Sequence, residues 1–247
     1  EQGADPNAAD KKGTTALHYA VQKGISSLTR LEESYYNSYL YRPNMLILVK
    51  ALLDQGADPN PRLVEAVRFT GTTVLTDLGG VTPFVLAAAV NDVSVMRLLA
   101  AGGADPLTIT GDHTTALMVA AGLGRTSDRT DDEEVRTALE SVKLAVELGA
   151  DVNATNDRGQ TALQGAARVG LNPLIQFLVD EGAEIDVKDN FGQTALSLAS
   201  GVIPATDLMA KNWNHKPFGV HESSAKLLRE LGATPLPVAE TVYAAGK

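Results

Sequence analysis

The sequence predicts an all-α solenoid of helix-turn-helix units joined by hairpin-like loops, about five repeats plus a partial N-terminal one. Three observations predict it. The tripeptide Gly-Ala-Asp or a close variant recurs from residues 3, 56, 103, 149, 182 and 232. A Thr opening an apolar segment follows each of the first five copies. Aromatic residues are only 5% of a chain that is 44% hydrophobic, so small side chains dominate, which suits closely stacked helices better than a bulky core. Self-similarity at intervals of 53, 47, 46, 33 and 50 residues is the mark of a repeat architecture.

The apolar segments begin Thr15-Ala16-Leu17-His18-Tyr19-Ala20, Thr82-Pro83-Phe84-Val85-Leu86-Ala87, Thr115-Ala116-Leu117-Met118-Val119-Ala120, Thr161-Ala162-Leu163-Gln164-Gly165-Ala166 and Thr194-Ala195-Leu196-Ser197-Leu198-Ala199. Each opens on a capping-type Thr, and Pro83 sits at a first helical position, where its missing N–H costs nothing. The unit from Asp157 to Gly182 is the most regular. Leu163, Ala166, Ala167 and Gly170 fall on one face of a first helix, and Gly170-Leu171-Asn172-Pro173 breaks it. Leu174, Phe177 and Leu178 form the stripe of a second helix, which Gly182 ends in the left-handed position after the cap. At the far end, residues 221–231 make a last helix stopped by Pro235-Leu236-Pro237.

The combination Gly-x-Thr-Ala-Leu-x-x-Ala-Ala, a second apolar helix and Gly-Ala-Asp-x-Asn resembles the ankyrin repeat. The resemblance runs over roughly residues 1–234, with 235–247 left as a C-terminal cap or tail. The fourth motif position usually holds a His in that family; here only His18 keeps it, with Val85, Met118, Gln164 and Ser197 elsewhere. The resemblance therefore implies a patchy inter-repeat polar network. Glu1-Gln2-Gly3 reads as the tail of a second helix, so the natural chain is expected to start upstream, with a removed leader as another origin.

Intervals above the unit length place insertions near residues 25–44, 62–79, 123–135 and 201–220. The first holds Tyr35, Tyr36, Tyr39 and Tyr41; the third holds Asp128, Asp131, Asp132, Glu133 and Glu134; the fourth holds Trp213, His215 and Phe218. The acidic run reads as a helix start, because acids favour the positive end of a helix dipole and the spacing lacks the turn glycine of a calcium loop. Three insertions are expected to emerge along one edge, between paired helices.

The net charge is −9, which argues against binding a nucleic-acid backbone. The absence of Cys excludes disulfides, thiolate metal sites and Cys nucleophiles. No apolar run approaches the roughly 18 residues of a membrane helix. No nucleophile elbow, zinc-protease motif, P-loop or dinucleotide fingerprint is present, and no catalytic, cofactor or metal residue is assigned. The resemblance implies a non-catalytic module, monomeric, that binds another protein through a concave face and finger loops. Candidate contact residues are Lys11, Lys12, Tyr19, Tyr36, Tyr39, Asp112, His113, Asn156, Asp157, Arg158, Asn190, Phe191 and Trp213. Phe191 is expected to be exposed as an anchor. Alternatives are a small-molecule or catalytic site built from the insertions around Tyr36, Tyr39, Trp213 or His215, or a spacer within a larger protein. Cytoplasmic and exported locations both remain open.

Overall fold

A computed structural model describes residues 3–21, 45–64, 79–125, 130–204, 219–237 and 241–243. Most of the four insertions lies outside this set, as do Tyr36, Tyr39, Trp213 and His215. The helices are α1 (residues 16–21), α2 (Met45–Asp54), α3 (Pro83–Ala89), α4 (Val93–Ala101), α5 (Ala116–Ala120), α6 (Asp132–Glu147), α7 (Ala162–Val169), α8 (Asn172–Asp180), α9 (Ala195–Ser200) and α10 (Glu222–Glu230). The short helices α3, α5, α7 and α9 pack on one another in sequence, and α2, α4, α6, α8 and α10 form a second row beside them. This is the expected two-layer helical stack. Among the described residues a strand pair departs from it: β1 (Ile203–Pro204) pairs antiparallel with β2 (Thr241–Tyr243), so residues 241–243 return to the strand that follows α9.

Local chemistry sets the boundaries. Thr82, Thr115, Thr161 and Thr194 each accept a hydrogen bond from the backbone N–H three residues on, as helix N-caps. Asp131 does the same for α6, with Asp132, Glu133 and Glu134 in its first turn, which bears out the helix-start reading of the acidic run. Outer helices close at glycines with positive φ: Gly56, Gly103, Gly149, Gly182 and Gly232. After each, the next N–H reaches back to a carbonyl of the final turn, as in Ala183 N–H to Leu178 O at 2.9 Å.

The core is a continuous band of Ala and Leu with Phe84, Met96, Met118 and Ile175. In the most regular unit Leu163, Ala166, Ala167, Leu174 and Leu178 are buried as expected. Phe177 is only half-buried; Ile175 takes the deep position and Lys143 Nζ sits 5.5 Å from the centre of the Phe177 ring. The ring therefore faces α6, the outer helix that carries Lys143.

At Gly165, α7 lies close against the segment that follows α5. A Cβ built on Gly165 would lie 2.8 Å from Leu123 N and 3.3 Å from Ala121 O. Residues 121–123, which lead into the third insertion, therefore lie against the next inner helix and are buried there.

Candidate partner-binding surface

The finger loops share one construction. Asp10, Thr110, Asn156 and Asp189 begin the tips, and their side-chain oxygens accept backbone N–H groups two or four residues on. Each such bond holds a tight turn that an alternative loop would have to break. The tips then join to one another through the backbone. Val64 N–H donates to Lys12 O at 2.8 Å and Gly111 N–H to Gly79 O at 2.6 Å. Asp157 N–H donates to Asp112 O at 2.9 Å and Asn190 N–H to Arg158 O at 2.9 Å. This ladder fixes the spacing of the side chains that project from it.

Lys11, Lys12, Asp157, Arg158 and Asn190 are exposed on this row. His113 Nδ1 lies 2.6 Å from Asp157 Oδ1, linking two tips, with both side chains more than half exposed. An exposed pair of this kind contributes at most about 1 kcal/mol to stability. His113 has φ 61°, in the left-handed region, where the matching tip positions hold Gly13, Gly159 and Gly192. A non-glycine residue there carries roughly 1 kcal/mol of strain. Tyr19 is 49% exposed, its hydroxyl donating to Asp10 Oδ2 at 3.3 Å.

Three of the expected surface residues sit differently. Asn156 is buried, at 7% exposure. Its Oδ1 accepts from Arg158 N–H and Gln160 N–H, and its Nδ2 donates to Thr114 Oγ1 at 3.3 Å, so it builds the turn instead of facing solvent. Phe191 is half-buried. Asp112 is half-buried as well, accepting from Thr110 Oγ1 at 2.6 Å and Thr114 N–H. The sequence reading took loop polarity as exposure; the signal for Asn156 was its position in phase with Asp10 and Asp189.

Below the tips, the fourth motif position is patchy. His18 Nε2–H donates across to Val81 O at 3.3 Å, while Thr15 N–H donates to its Nδ1. Gln164 substitutes for His in the fourth unit, donating to Val187 O and Gln193 O at 3.0 and 2.8 Å. The Ser197 hydroxyl bonds within its own cap, to Thr194. A second row, unread in the sequence, compensates. Asn7, Asn60 and Asn153 each donate Nδ2 to the helix-ending glycine of the next unit (Gly56 O, Gly103 O, Gly182 O), all at 3.0 Å. Their Oδ1 atoms accept Asp58, Asp105 and Glu184 N–H in return. Leu107 stands where a fourth Asn would bridge to Gly149, and it is 51% exposed.

Burial holds the His18 imidazole below its ordinary pKa of 6.5, and the Val81 carbonyl opposes this more weakly. A depressed folded-state pKa means the stabilising contribution is full above the ordinary value and is lost as pH falls through the lower folded one. We expect His18→Gln to keep the bond to Val81 O, as Gln164 does for its neighbour, and to flatten the loss of Tm between about pH 7 and pH 5. An unchanged slope by calorimetry would contradict that role.

Among the described residues no group of three His, Asp or Glu is placed to hold a metal. His221 instead packs against Gly170, its Nε2 donating to Arg168 O at 3.1 Å. No described helix is long and apolar enough to cross a membrane.

Stacked helix pairs with laddered finger loops define a helical-repeat protein of the kind that generally serves protein–protein interaction. Residues 135–215 match the family model for ankyrin repeats (3 copies), which supports an ankyrin repeat family for this chain.

Proposed function

We propose that residues 1–234 form one array of about five ankyrin-type repeats plus a partial one. It binds another protein, as a monomer, through the finger tips and the concave face beside them. The laddered row of tips carries this reading. Lys11, Lys12, Asp157, Arg158 and Asn190 are exposed on a scaffold whose backbone is already hydrogen-bonded, so binding costs little ordering entropy. Asp112, His113, Tyr19 and Phe191 flank them. The basic pair at one end and the mixed charges beyond favour a partner surface of complementary, alternating sign. The net charge of −9 weighs against a nucleic-acid partner.

The test is quantitative capture of a partner from source lysate, identified by mass spectrometry with the intact chain as bait. Lys11→Glu with Lys12→Glu and Phe191→Ala is expected to weaken that partner's affinity at least about tenfold, which corresponds to about 1.4 kcal/mol, with the circular dichroism spectrum and Tm retained. Unchanged affinity would contradict the assignment.

A further inference from the structure

We propose that the first two finger tips form a docking site for an acidic peptide segment that carries an apolar side chain among its carboxylates, with Val64 as the seat of that side chain. The inference rests on the finger-tip reading above and names the partner chemistry at one end of that surface. Val64 is 72% exposed. In the other units its tip position holds Lys11, Gly111, Asp157 and Asn190, none of them apolar and branched. The backbone holds the valine outward. Leu63 N–H donates to Val81 O at 3.0 Å and Gly80 N–H donates to Leu63 O at 2.7 Å, while Val64 N–H donates to Lys12 O at 2.8 Å. Leu63 is buried, whereas Arg62 and Val64 on either side of it are exposed, the alternation of an extended segment. A Cβ built on Gly13 would lie 3.2 Å from Val64 Cγ2, so the valine sits directly beside the tip that carries Lys11 and Lys12.

Charge selects the occupant. Lys11, Lys12 and Arg62 are exposed, and among the described residues none of them makes an ion pair. Arg62 Nη2 donates to Ile109 O at 2.7 Å, which fixes the guanidinium without neutralising it. Asp10 is the carboxylate of the first tip. Its oxygens accept Lys12 N–H, Thr14 N–H and the Tyr19 hydroxyl. Three unpaired cations against one engaged carboxylate stand out on a chain of net charge −9. The later tips differ, since Asp112, Asp157 and Arg158 mix the signs there. Partner carboxylates are drawn to the free cations, which sets orientation and association rate. An apolar side chain laid on Val64 then excludes water from the centre of the contact, as interface anchors do. A phosphate-bearing strand would pair with the same cations but would gain nothing from Val64.

The test titrates the isotopically labelled full chain at low salt and follows its amide resonances. The probes are the peptide Glu-Glu-Leu-Glu-Glu, its counterpart Glu-Glu-Ser-Glu-Glu, and an oligothymidine of matching charge. Saturable shifts are expected at Lys12, Gly13, Arg62 and Val64, with the leucine peptide bound at least about threefold more tightly than the serine one, because only it buries apolar area on Val64. Val64→Ser is expected to erase that preference with Tm retained, and Lys11→Glu with Lys12→Glu to remove binding of both peptides. No saturable shift at these amides would overturn the proposal, and so would equal affinity for the two peptides. Tighter binding of the oligothymidine would also overturn it, by assigning the cations to phosphate. The outcomes separate from those of the finger-tip reading. Peptide shifts absent while Lys11→Glu with Lys12→Glu and Phe191→Ala still weaken the captured partner would sink this inference alone. Peptide shifts present with the captured partner unaffected would sink the array-wide reading and leave this one standing.

Discussion

Replacing Gly165 with Ala is expected to lower Tm by roughly 5 °C, although alanine is the better helix former. The propensity gain is about 1 kcal/mol in favour of the variant. Against it, the new methyl lies 2.8 Å from the Leu123 backbone nitrogen and 3.3 Å from Leu123 Cα and Ala121 O. Backbone atoms cannot rotate aside as a flexible side chain does. The segment after α5 must shift as a whole, disturbing Leu123 and Ala121, both buried. Overpacking of this kind costs about 1–3 kcal/mol, and more when a backbone segment must move, so the clash prevails. Gly165→Val is expected to be worse, even though Leu86 and Val119 occupy the matching position of other repeats. Calorimetry checks the pair, and a rise in Tm for Gly165→Ala would show that the α5–α7 approach is looser than described.

The second large effect concerns the asparagine bridges. Asn153 joins its unit to the next through Gly182 O at 3.0 Å and Glu184 N–H at 2.8 Å. Asn153→Leu removes both bonds and is expected to cost about 1–2 kcal/mol, since each typical hydrogen bond contributes roughly 1 kcal/mol. The reverse substitution, Leu107→Asn, is expected to stabilise by about 1 kcal/mol. Leu107 is 51% exposed, so little buried apolar contact is lost, and the new amide is in phase with Gly149 and Asp151. Urea denaturation of the two variants should shift the midpoints in opposite directions. A midpoint that falls for Leu107→Asn would mean that the third junction differs in geometry from the others.

Much of the stack was legible because helix-forming chemistry is local. The Thr caps, the glycine stops and the apolar spacing of Leu163, Ala166 and Ala167 each act within a few residues, and all are found as read. The acidic run at Asp131–Glu134 yielded to the same logic. What escaped is non-local. Nothing near Gly165 announces that residues 121–123 press against it. The pairing of Ile203–Pro204 with Thr241–Tyr243 joins segments with no periodic signal. Asn7, Asn60 and Asn153 were visible as a motif, but their partners lie in the following unit. At the candidate surface, Lys11, Lys12, Asp157, Arg158 and Asn190 are exposed as expected from loop position. Asn156 misled because the amide that makes a turn and the amide that meets a partner look alike in sequence.

Hydrogen exchange on the intact chain, with and without its captured partner, tests the finger-tip reading most directly. The account predicts added protection at Lys11–Gly13, Asp112–Thr114, Asp157–Gly159 and Asn190–Gly192, with the outer faces of α4, α6 and α8 unchanged. Protection confined to those outer helices, with the tips exchanging as in the free chain, would contradict it.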